Sequence, residues 1–261
     1  MRALSTRTAV AALAIVAATL LLMPVGTAQS PVTTVSAAVS LTDCLQTIAR
    51  EFEKTGGSVV RFNFAASNVL SRQIVSGAPV DLFISADEKQ MDLAASAGAI
   101  DVKTRVALLG NSLAIVTRPG GPAVADSRAL LRPDFRRIAI GDPAAVPAGV
   151  YAREYLERVG LWDALQPKLV PVSNVRAALA SVENGSADAA FTYETDTVGA
   201  SNARAALVIS GAGAPRIVYP AAIVSRAPNR TGAEQLLTYL RSPAAAAIFA
   251  RYKFVPLGHG G

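Results

Sequence analysis

The 261-residue sequence contains one cysteine, one histidine and one tryptophan. With Cys44 alone, no intrachain disulfide can form, and its place in an apolar helical stretch suits a buried, inert thiol. The sole histidine, His259, sits in the glycine-rich end Gly258-His259-Gly260-Gly261. That excludes a Ser–His–Asp triad, a histidine metal cluster and most histidine general-base chemistry. The nucleophile pattern G-x-S-x-G is also missing. Aromatic residues make up only 6%, and Lys and Arg are scattered rather than clustered with them, so nucleic acid is not an expected partner.

What the chain does have is apolar bulk: 51% of its residues are hydrophobic and 17% charged, with a formal net charge of +6. Residues 1–28 read as a signal peptide, with Arg2 and Arg7 ahead of the uncharged run Thr8–Met23 and a small-residue cleavage site at Gly26-Thr27-Ala28. The run is shorter than a membrane span requires and ends at Pro24-Val25-Gly26. No cysteine stands at the cleavage site to take a lipid, so the expected destination is the periplasm. Without the two arginines of this segment the net charge is +4, mildly attractive to a small anion.

Along the mature chain, short apolar strands alternate with amphipathic helices, the rhythm of open, parallel α/β sheets. A strand over 33–39 leads to a helix with Leu41, Leu45, Ile48, Ala49 and Phe52 on one face. Ser40 with Asp43, and Ser85 with Glu88, have capping-box spacing. Further strands are expected over 60–64, 81–85, 111–117, 138–141, 168–171, 187–193 and 217–225, and closing helices over 231–240 and 243–252. In such sheets, ligands sit where strands end and helices begin. Four helices start just after a strand at small neutral residues: Ser40, Ser67, Ala148 and Val175. Each helix start has unpaired N–H groups and about half a positive charge, so several converging starts would hold an anion without Lys or Arg.

The segments G-A-P-V-D-L-F-I-S-A-D (77–87), L-L-G-N-S-L-A-I-V (108–116), G-D-P-A-A-V-P-A-G-V-Y-A (141–152) and P-K-L-V-P-V-S-N-V-R-A-A-L (167–179) resemble those of the periplasmic molybdate-binding proteins of ABC importers. The similarity runs from about Thr33 to Pro256. It implies a two-lobed α/β fold of the type II periplasmic-binding-protein kind, with parallel or mixed sheets flanked by helices and a hinge of two chain crossings. The first lobe is expected from 29–110 with 226–261, the second from 111–225. The resemblance further implies a non-enzymatic protein that holds molybdate, or tungstate, between its lobes. Ser40 and Ser67 would bind it through hydroxyls, Ala148 and Val175 through backbone N–H groups, and Tyr193 through its phenol. No side chain would touch the metal atom, which is held through its oxygens, and no cofactor is implied. The partner would be a membrane ABC permease, and the binding protein itself a monomer.

Two departures from the family pattern stand beside these residues. Glu194 follows Tyr193 and must turn away from a dianion, and Asn68 takes a place in a usually serine-rich run, where it would lend an amide or cap the helix. Hydroxyl donors require an acceptor free of protons, which disfavours phosphate. The alternatives are a binding protein for another oxyanion such as sulfate, a sensor subunit, or an exported hydrolase.

Overall fold

The computed structural model describes residues 32–211 and 213–257; the expected signal peptide and His259 lie outside the described residues. β1 (Thr33–Ala38) enters a short 3-10 turn, Val39–Leu41, and then α1 (Thr42–Lys54), which buries Cys44, Leu45, Ile48, Ala49 and Phe52. The apolar stripe of the sequence is therefore the packed face. β2 (Val60–Ala65), α2 (Ser67–Val75), β3 (Leu82–Ile84) and α3 (Glu88–Ser96) follow in the same alternation, and β4 (Val106–Asn111) closes this half. β5 (Leu113–Thr117), β6 (Ile138–Gly141), α4 (Pro147–Arg158), α5 (Trp162–Leu165), β7 (Leu169–Val172), α6 (Val175–Glu183), β8 (Ala189–Tyr193) and β9 (Arg204–Val208) form the other. β10 (Ile217–Ile223), α7 (Arg230–Leu240), α8 (Pro243–Arg251) and β11 (Val255–Pro256) complete the described chain.

The strands form two mixed sheets, ordered β11-β4-β10-β3-β1-β2 and β7-β6-β8-β5-β9. Within the first, β1 is flanked by parallel partners β2 and β3, while β10 runs antiparallel between β3 and β4. Within the second, β6 is parallel to β7 and β8, and β5 is antiparallel to β8 and β9. The strand expected over 111–117 is β5, begun at Leu113, while Asn111 is the last residue of β4. Ser112 separates β4 from β5, and the chain changes sheets there.

The return crossing differs from expectation. The segment 217–225 was expected in the second lobe, but β10 pairs with β3 and β4 in the first sheet, so the chain returns between Val208 and Ile217. An apolar strand buried at all seven positions satisfies either sheet locally. Only its long-range partners choose between them, and the register shift at Tyr219/Pro220 accommodates a residue with no N–H to give.

Both expected capping boxes also give way. Ser40 lies in the 3-10 turn and caps nothing with its side chain, and α3 is capped by Asp87, whose carboxylate accepts from Gln90 N, rather than by Ser85. Asn174 caps α6, its Oδ1 accepting from Ala177 N. Among the described residues, no helix is long and apolar enough to cross a membrane.

Candidate functional site

The parallel strands of both sheets aim their C-terminal ends at one place. Ser40 follows β1, Ser67 opens α2 after β2, and Ala86 follows β3. From the other sheet come Pro147-Ala148 at the start of α4, Asn174-Val175 at the start of α6, and Tyr193 at the end of β8. These residues, with Ala38, Val39, Ala65, Ala66 and Val146, line a single small cavity between the sheets. Every lining residue is uncharged. The cavity leaves about 20 Å³ of room for the centre of a water-sized body, more than one water needs and far below what a sugar or peptide would require.

All five residues expected at the site are here, each at most 4% exposed. Val175 is the first residue of α6, and Ala148 follows Pro147 at the start of α4, so both N–H groups belong to the first turn, where no carbonyl of the helix can reach them. Ser67 Oγ accepts from Ala86 N at 2.9 Å, which leaves its own proton for another acceptor. Tyr193 Oη is buried and has no hydrogen-bond partner among the described residues. Burial drives its pKa well above the ordinary tyrosine value, so the phenol stays protonated and remains a donor.

Glu194 turns away, its carboxylate 3.0 Å from Lys253 Nζ. Asn68 neither caps α2, whose N-cap is Ala66, nor lines the cavity.

Around this neutral shell lies a charged one that local patterns do not reveal. Arg176, next to Val175, places Nε 3.0 Å from the fully buried Asp196 and Nη2 2.8 Å from Asp43. Asp196 stands on the same side as Arg176, just after β8, whereas Asp43 belongs to α1 on the first sheet, so Arg176 ties the two halves together beside the cavity. Burial pushes Asp196 up to about 6, with the Arg176 guanidinium partly opposing it. Its contribution to folding stability is therefore present below its ordinary value of 3.8 and lost as pH rises through about 6, because the folded protein holds the proton longer. The Asp43 half of the bridge is partly exposed, and such pairs contribute about 0.2–1 kcal/mol. Asp43→Asn should accordingly speed ligand release by up to about fivefold, less at high salt. Stopped-flow release rates at two ionic strengths measure it, and an unchanged rate removes this bridge from closure.

Two mixed sheets joined by two chain crossings, with a small uncharged cavity between them, are the architecture of a two-lobed binding protein. The family described as bacterial extracellular solute-binding protein matches residues 33–255. The molybdate-binding protein ModA of Escherichia coli is 43% identical over 235 residues, covering 85% of this chain and 88% of that protein. A putative ABC transporter substrate-binding lipoprotein of Bacillus subtilis is 34% identical, with 85% of each chain covered. Among solved structures, the periplasmic molybdate-binding protein of Azotobacter vinelandii superposes with a TM-score of 0.77 at 26% identity, over 85% of this chain and 98% of that one. The chain belongs to the bacterial extracellular solute-binding proteins, in the group of the molybdate-binding proteins.

Proposed function

We propose that the protein captures molybdate, and tungstate with it, in the cavity between its sheets and delivers it to a membrane ABC permease. The observation that carries this reading is the convergence of five neutral donor positions, Ser40, Ser67, Ala148, Val175 and Tyr193, on one buried cavity of a few atoms' size. Hydrogen bonds to an ionised acceptor contribute about 1.5–3 kcal/mol each, so several together offset the lost hydration of a dianion without a buried counter-cation. The 43% identity to a molybdate-binding protein supports the choice of anion.

In this reading the lobes are Thr33–Asn111 with Ile217–Pro256, and Leu113–Val208. Residues 1–28 are a cleaved export signal, and the mature protein works as a periplasmic monomer without cofactor or catalysis. The ligand's oxygens face the donors, and the metal atom has no protein ligand.

Thermal shift with molybdate, tungstate, sulfate and phosphate tests it. Ligand at about 1,000 times its Kd adds about 4 kcal/mol of stability. Molybdate and tungstate should therefore raise the midpoint clearly, sulfate and phosphate little. Tyr193→Phe should shrink the molybdate response and barely move the ligand-free midpoint, because the phenol has no hydrogen-bond partner to lose among the described residues. A larger shift with sulfate than with molybdate would overturn the assignment of the anion.

A further inference from the structure

Ser40 does not act alone. Its Oγ lies 3.0 Å from Tyr219 Oη, on β10, and Asn111 Nδ2, at the end of β4, lies 3.1 Å from the same phenol oxygen. The directions of these hydrogen bonds follow from one fixed point. Ser112 N, a donor only, lies 2.8 Å from Asn111 Oδ1, which settles which end of the amide is oxygen. Asn111 Nδ2 must then donate, to Tyr219 Oη and, at 3.0 Å, to Thr195 Oγ1. The phenol accepts from Asn111 and has one proton to give, and its other partner is Ser40 Oγ. Burial keeps that proton in place by pushing Tyr219 well above the ordinary tyrosine value. Ser40 Oγ therefore accepts, and its own proton is directed to the cavity that the residue lines.

We propose that Asn111 and Tyr219 are positioning residues that commit the Ser40 hydroxyl to donate into the cavity, making it a reader of oxyanions that carry no proton. Ala86 N does the same for Ser67 through a single backbone bond. With both hydroxyls committed, a ligand oxygen bearing a proton meets donors and finds no acceptor there. The inference rests on the anion-binding reading above and adds the source of its preference.

Two substitutions separate the relay from simple packing. Tyr219→Phe keeps the ring and its edge contacts with Tyr193 and Phe254, at centroid distances of 5.8 and 5.5 Å, and removes only the hydroxyl. Asn111→Asp keeps the shape and replaces the donor with an acceptor, so the phenol's proton turns to it and Ser40 turns its own proton to the phenol. Calorimetric titration with molybdate should show about tenfold weaker binding for Tyr219→Phe and a larger loss for Asn111→Asp. In a Ser40→Ala background, the charge-neutral Tyr219→Phe should not weaken molybdate further, whereas Asn111→Asp keeps the part of its loss that comes from its added negative charge. Tyr219→Phe should also narrow the affinity ratio of sulfate to hydrogenphosphate, since Ser40 Oγ becomes free to accept.

An undiminished Tyr219→Phe loss in the Ser40→Ala background overturns the relay, as does unaltered molybdate affinity in both single variants or an unchanged sulfate-to-hydrogenphosphate ratio. Wild-type protein that binds none of these anions instead brings down the functional reading itself, and the relay with it.

Discussion

Val175→Pro should weaken molybdate binding by about one to two orders of magnitude and leave the ligand-free fold in place. Val175 is the first residue of α6, a position that proline fills without disturbing a helix, since the N–H there has no helical partner. Asn174 before it is extended, at φ −166° and ψ 172°, as a residue preceding proline should be. The Asn174 cap is made to Ala177 N and survives the change. What disappears is one backbone donor facing the cavity. A hydrogen bond to a charged acceptor is worth about 1.5–3 kcal/mol, which is roughly 10- to 150-fold in Kd. Calorimetry with molybdate, alongside the thermal midpoint without ligand, separates the two effects. Unaltered affinity in a folded variant would remove Val175 from the binding set.

Gly149→Ala should be the most damaging small change in the protein. Helix propensity alone favours alanine by about 1 kcal/mol. A methyl group here, however, would overlap the Gly141 carbonyl and lie 2.8 Å from Asp142 O. Both obstacles are backbone, so no side chain can swing aside. Overpacking of this kind costs about 1–3 kcal/mol or more, which outweighs the propensity gain. Relief requires lifting α4 from the end of β6, and that carries the neighbouring Ala148 N–H away from the cavity. The expected result is a midpoint lowered by several degrees and molybdate affinity lost by more than about tenfold. An alanine variant as stable and as tight-binding as the parent would mean that α4 is not fixed by this contact.

Local patterns revealed much of this. The stripe Leu45, Ile48, Ala49 and Phe52 is the buried face of α1, because helix periodicity acts over three or four residues. The strand-to-helix junctions that bear Ser67, Ala148 and Val175 were readable for the same reason. Spacing misled at Ser40 and Ser85. A serine three residues before an acid also suits a hydroxyl turned elsewhere, and here Ser40 faces Tyr219 while Ser85 donates to Asp87. Sequence alone cannot choose the sheet for β10, because seven buried residues satisfy any sheet interior. Asn111 lies within the segment 108–116, but Tyr219 has no local mark at all.

The amino-acid order determined the parts by itself: alternating strands and helices, and small neutral residues at helix starts whose N–H groups are unpaired by the geometry of a helix. Tertiary structure alone decided how those parts act. It brought Tyr219 to Ser40 across 179 positions and Arg176 to Asp43 across 133, and it returned the chain to the first sheet at β10. A hydroxyl's role as donor or acceptor depends on what stands next to it in space, and long-range neighbours are set by packing of the whole chain rather than by any window of sequence.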